Sequence, residues 1–163
     1  MAGGKSRRMG KDKATIVYRG ETLLTHAAKL LTAFGCDDSV ILGRAESAAG
    51  VVDPLPGAGP AANLQAWING LVLPVRLVVV PVDMPLLTLK HLDALAENDS
   101  GGFFEDLYLP FVATVYNPLL QPLVRMKALL ATLQLPAVQA DKAWQDALTN
   151  FNTSDDLKKL SDG

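Results

Sequence analysis

Apolar residues recur at helical spacing along Leu23, Leu24, Ala27, Leu30, Leu31 and Phe34, which predicts a helix with one buried face. Thr22 or Glu21 marks its start, and Gly35 stands where a helix stops. Two short β-branched runs follow, SVILG and GVVD, and both predict strands. The turn-rich segment PLPGAGPAAN leads into a second helical pattern, LQAWINGL. RLVVVPV is an unbroken apolar run, as expected of a strand buried on both faces. Helix TLKHLDALAEN comes next, then NDSGG as a loop, LYLPFVATVY as a strand and PLLQPLVRMKALLATL as a helix with Pro122 in its first turns. TSDDLKKL predicts a last helix capped by Thr153 or Ser154. Alternation of strands and helices predicts a single α/β domain over residues 1–163, with a mainly parallel sheet covered on both faces. Ligands of such sheets bind at the carboxyl ends of the strands.

Composition narrows the function. An apolar share of 49% beside 20% charged residues is that of an ordinary globular chain. A net charge of −2 gives no reason to expect a nucleic-acid or membrane partner. No apolar run reaches the roughly 20 residues that cross a bilayer, and the N-terminus lacks the apolar core of a signal peptide. With its one cysteine, Cys36, the chain is expected in the cytoplasm. His26 and His91 lie within helical patterns and are read as packed or solvated side chains, and Trp67 and Trp144 as core or rim groups. Neither a His/Cys cluster of zinc-site spacing nor a Ser/His/Asp arrangement is legible.

The chemistry concentrates at the start. MAGGKSRRMGKDK is poor in apolar residues and holds five of the fifteen Lys and Arg. Gly3, Gly4 and Gly10 allow a backbone to approach phosphate closely, and Lys5, Arg7, Arg8, Lys11 and Lys13 supply positive charge. Composition alone fits a solvated basic tail equally well. Gly4-Lys5-Ser6 imitates the end of a P-loop, but that motif needs a glycine five residues earlier and an immediate helix, so the P-loop reading is rejected. Asp83 closes the apolar strand and precedes Met84-Pro85, which puts a carboxylate at the ligand edge where a cation or strong donors must satisfy it. Its alternative role is to cap the next helix.

AGGKSRRMGKDKA resembles the LAGGxSxRMGxDKxxL pattern of the molybdenum cofactor guanylyltransferase (MobA-like nucleotidyltransferase) family. GPAAN, VVVPVDMPLL and NFNTSDDL follow in that family's order and resemble its GPLAG, PCDMP and NxNTPEDL patches. The resemblance implies a three-layer α/β/α Rossmann-like fold with a mainly parallel mixed sheet. It also implies transfer of GMP from GTP to the phosphate of molybdopterin, with magnesium as cofactor. Met1, Ala2, Gly3 and Gly4 would line the nucleotide, Lys13 and Arg8 would hold its phosphates, and Asp53 would contact it, although Asp53 before Pro54 fits a turn nearly as well. Gly59 would wall the guanine pocket, and Asp83 would ligate magnesium. Asn150 and Asn152 would help to hold metal or acceptor, although Asn152-Thr153 equally fits a helix cap. Cofactor-assembly proteins are further expected partners, and the oligomeric state is open.

Several positions depart from the pattern. The family's glycine loop follows an apolar central strand, and this sequence starts at the loop. The expectation is therefore a sheet without its first central strand, and either poor stability or a gap filled by a neighbour's segment. Asn63 replaces the second glycine of GPLAG and is expected to narrow the pocket; Gly43-Arg44 and Leu109-Pro110 stand where Asn and His-Pro are common. These departures leave a cytidylyltransferase, another small-acceptor nucleotidyltransferase or a non-catalytic nucleotide- or partner-binding module as alternatives.

Overall fold

The structure is a computed structural model that describes residues 13–44 and 49–151. The predicted loop before Lys13 and the predicted helix after Asn152 lie outside those residues. In chain order the elements are β1 (Val17–Tyr18), β2 (Glu21–Thr22), α1 (Leu23–Phe34), β3 (Ile41–Leu42), β4 (Gly50–Val51), α2 (Pro60–Ile68) and β5 (Val75–Val79). There follow α3 (Leu89–Ala96), β6 (Gly101–Phe104), β7 (Phe111–Val115), α4 (Met126–Thr132) and β8 (Ala137–Val138). Short 3-10 turns occupy Lys13–Thr15 and Lys142–Trp144.

Helix α1 begins and ends as its sequence predicts. The Thr22 side chain accepts the Thr25 N–H, satisfying an amide that has no partner inside the helix. Gly35 takes the left-handed conformation (φ 92°), and Cys36 N–H returns to the Leu31 carbonyl at 3.1 Å, closing the last turn.

The main sheet runs in the order β5-β7-β6-β8. Alternation along β5 and β7 splits the core into two layers. Leu77, Val79, Phe111, Ala113 and Val115 face α2 and α4 through Leu64, Ile68, Leu129 and Leu130. Val78 and Val112 face the opposite way, onto Leu95 of α3 and Leu30 of α1. The three-layer α/β/α arrangement is thus present. The sheet is mixed as expected, but its four-stranded part is not mainly parallel: β5–β7 and β6–β7 are antiparallel and β6–β8 is parallel. A separate parallel pair joins β3 to β4.

NDSGG is not a loop throughout, because Gly101 and Gly102 form the first half of β6. A Cβ on Gly101 would stand 2.1 Å from the Val112 carbonyl oxygen, so only glycine permits this approach. Helix α4 starts at Met126, later than its apolar pattern predicts. Gln65 and Asn69 hold the preceding segment open: Asn69 Oδ1 accepts Leu119 N–H at 2.8 Å and Gln65 Oε1 accepts Leu123 N–H at 2.9 Å.

Among the described residues, β3 pairs with β4 alone and β5 with β7 alone. Between β3 and β5 lies a cavity of about 660 Å³, lined by Leu24, Ala27, Leu31 and Phe34 of α1, Ile41 and Leu42 of β3, Leu64 and Trp67 of α2, and the length of β5. The predicted buried face of α1 is for this reason only partly covered: Leu23 is buried, whereas Leu24, Ala27, Leu30, Leu31 and Phe34 are half-buried.

Candidate functional site

Asp83 sits in the turn that follows β5, with Val80, Pro81 and Val82 buried before it and Met84 buried after it. This buried frame leaves the Asp83 side chain half-buried at the strand's carboxyl end. The helix-cap alternative does not hold, because Thr88 is the N-cap of α3 and completes a reciprocal capping box with His91.

A distant segment meets this turn. The Phe151 backbone N–H donates to the Asp83 carbonyl at 2.8 Å. The Phe151 ring packs in one cluster with Tyr18 and Leu23, joined by Ile16 and by Leu86 from the Asp83 turn. Ile16 is held in turn by its carbonyl, which accepts Leu23 N–H at 2.9 Å. Three sequence patches therefore converge here: the segment that follows Lys13, the Asp83 turn and the Asn150–Phe151 pair. Lys13 opens the 3-10 turn that leads into Ile16. Met1, Ala2, Gly3, Gly4, Arg8 and Asn152 lie outside the described residues.

Asp53 and Gly59 belong to a second patch. Asp53 is half-buried just beyond β4, which reaches the common core through Val51. Gly59 (φ 88°, ψ 172°) precedes Pro60, whose fixed φ suits the first turn of α2. Asn63, whose size suggests a narrowed pocket, is buried and turned inward, bonded to Leu55 and Gly59. Gly43 has φ 89° and donates to the Val51 carbonyl at 3.0 Å, so a turn geometry fixes that residue type. Leu109-Pro110 is a cis peptide with Pro110 buried.

The remaining candidates behave as packing groups. His26 Nε2 bonds to the Tyr18 carbonyl at 2.8 Å. His91 stacks edge-on against Trp144, and burial holds its pKa below the usual imidazole value. Burial and the neighbouring Asp37 push the Cys36 thiol up, which opposes a reactive thiolate. Among the described residues no group of three or more His, Cys, Asp or Glu could hold a metal, and no helix is long and apolar enough to cross a membrane.

Among the described residues the site thus brings one half-buried carboxylate, Asp83, beside the Asn150–Phe151 pair and the segment that follows Lys13. Comparison with known proteins bears on the family and the fold. Residues 1–151 match the model of the MobA-like NTP transferase domain. A molybdenum cofactor guanylyltransferase from Xanthomonas euvesicatoria pv. vesicatoria is 31% identical over 172 residues, covering 98% of this chain and 91% of that protein. A probable molybdenum cofactor guanylyltransferase from Chloroflexus aggregans is 30% identical over 190 residues, covering 97% and 89%. The crystal structure of molybdopterin-guanine dinucleotide biosynthesis protein A from Archaeoglobus fulgidus superposes with a TM-score of 0.62 at 22% identity, covering 99% of this chain and 94% of that one, which supports the fold. Sequence motifs, the convergence at Asp83 and a family match spanning most of the chain lead to one assignment: the chain belongs to the MobA-like NTP transferase family.

Proposed function

We propose that this chain is a molybdenum cofactor guanylyltransferase, which moves GMP from GTP to the phosphate of molybdopterin and releases pyrophosphate. The proposed setting is the cytoplasm. In the transfer, an acceptor phosphate oxygen forms a bond to the α-phosphorus, and the bond from that phosphorus to the bridging oxygen of pyrophosphate breaks. The nucleophile is already an anion, so it needs no strong general base. What the chain supplies is alignment and neutralisation of charge. Met1, Ala2, Gly3 and Gly4 would approach the nucleotide through their backbone, with Arg8 and Lys13 offsetting charge on the α-phosphate and the leaving pyrophosphate. Asp53 and Gly59 would bound the nucleoside.

A single half-buried carboxylate at Asp83 fits magnesium, which takes one or two protein carboxylates and keeps phosphate oxygens and waters as its other ligands. Asp83 would hold the ion, with Asn152 as a further oxygen donor. When bound, the ion supplies neutralisation of the phosphate oxygens and fixes their orientation.

The observation that supports this reading is the Phe151 N–H to Asp83 carbonyl bond, which brings the Asn150–Phe151 pair to the turn that carries Asp83. The test is pyrophosphate release from GTP and from CTP, with molybdopterin as acceptor and magnesium added or chelated. Release that requires GTP, acceptor and magnesium is expected. Release from neither nucleotide, in a folded preparation, would overturn the reading.

A further inference from the structure

The bend before α2 is anchored from beneath by one buried amide. Asn63 is 2% exposed, and its side chain bonds to both ends of the segment Leu55–Gly59. Leu55 N–H donates to Asn63 Oδ1 at 2.7 Å, and Asn63 Nδ2 donates to the Gly59 carbonyl at 3.0 Å. Within the bend, Ala58 N–H closes back on the Leu55 carbonyl at 3.1 Å. Gly57 and Gly59 both have positive φ (85° and 88°), a conformation that side chains disfavour. Pro54, Leu55, Pro56, Gly57 and Ala58 are exposed, so the bend presents a surface while Asn63 stays hidden under it.

We propose that Asn63 is a positioning residue for nucleotide recognition. It fixes the Leu55–Gly59 bend as a wall of the base pocket, and so sets affinity and base preference for the nucleoside triphosphate without touching it. This rests on the reading above, in which Gly59 bounds the nucleoside. Where the related motif carries glycine, this chain has a side chain that ties the bend to the helix behind it. A bend held before the ligand arrives spends less of the binding energy on ordering. The demand on the side chain is specific, since it must accept from an amide and donate to a carbonyl. Aspartate meets only the first demand and alanine neither, so alanine releases the Leu55 N–H and leaves the Gly59 carbonyl held by the Asn63 backbone N–H alone.

The experiment compares the wild-type chain with Asn63→Ala and Asn63→Asp. It measures GTP and CTP binding by calorimetry, the KM and kcat of pyrophosphate release, and amide exchange at Leu55. For Asn63→Ala, Kd and KM for GTP should rise about tenfold with kcat held within about twofold, the GTP-to-CTP preference should shrink, and Leu55 exchange should accelerate. Asn63→Asp should fall between, with Leu55 still protected; if the alanine variant fails to fold, this intermediate loss carries the test. Unchanged GTP affinity and base preference in a variant whose Leu55 amide exchanges faster would overturn the positioning role. So would a fall in kcat alone. A wild-type chain that binds neither nucleotide removes the parent reading and this one with it, whereas wild-type binding with unaltered variants removes only this one.

Discussion

The backbone amide of Phe151 donates to the carbonyl of Asp83 at 2.8 Å, while the Phe151 ring packs against Tyr18 and Leu23. One residue thus joins the acid-bearing turn to the segment that follows Lys13. Its two attachments make separable predictions about the turn. Asp83→Asn keeps the backbone bond and the side-chain volume but removes the charge. It should lower turnover about a hundredfold, a loss of about 3 kcal/mol of transition-state stabilisation, with little change in melting temperature. Phe151→Ala empties a buried ring site and should cost about 3 kcal/mol of stability. Parallel measurement of pyrophosphate release and urea unfolding checks both, and an Asp83→Asn enzyme at wild-type rate would remove Asp83 from the chemistry.

Gly101 makes a second prediction. It has φ 92°, and a Cβ there would meet the Val112 carbonyl carbon at 2.5 Å and oxygen at 2.1 Å. Backbone cannot move aside as a flexible side chain can, so Gly101→Ala must force β6 away from β7. The expected cost is about 3 kcal/mol or more, read as a lower urea midpoint. Gly102→Ala faces the Val138 Cγ2 atom at 3.0 Å, a side chain with some freedom to shift, and should cost less.

The same glycines show where sequence reasoning reaches its limit. Gly-Gly has low strand propensity, and its reason for being in β6 is a contact with a carbonyl on another strand. The late start of α4 has a similar cause: Gln65 on α2 and Asn69 at its C-cap bond to Leu119, Gln121 and Leu123, and no local pattern reveals those partners. By contrast β5 was legible, because an apolar run covered on both faces carries its own signal, and α1 was legible through Thr22 and Gly35. At the site, Asp83 followed from a strand that ends in Asp-Met-Pro. The attachment of Phe151 to it did not, since that bond exists only once the chain has returned to the turn. For Asn63 the size is visible in the sequence, whereas the inward direction of its amide depends on the bend above it.

Stability should also respond to the cavity between β3 and β5. Its apolar lining forfeits contacts that a filled core would make. Ala27 lines the space from α1 and is half-buried, so a larger apolar side chain there has somewhere to go. Ala27→Leu should stabilise by about 0.5–2 kcal/mol, keeping a strong helix former in α1. Thermal melts of the two proteins at equal concentration give the answer. A lower melting temperature in the variant would mean that this side of α1 is too tightly covered to accept the added atoms.

Acid sensitivity should trace in part to His91. Its Nδ1 accepts the Thr88 N–H at 2.9 Å, so the neutral ring serves as half of the α3 cap while it packs nearly perpendicular to Trp144, 4.9 Å between centroids. Burial lowers the folded-state pKa from 6.5, outweighing the backbone bond, and neighbouring Lys90 lowers it further. The unfolded imidazole therefore takes up its proton first as pH falls. Between the unfolded value and the lower folded one, the unfolded state binds more protons, so stability increases with pH. The contribution is fully present above the unfolded pKa and lost as pH falls through the folded one. Urea unfolding at pH 7.5 and 5.5 should show a drop for the wild-type chain that is smaller in His91→Gln, whatever the variant's own offset at pH 7.5. An equal drop in both proteins would assign the acid sensitivity to other groups.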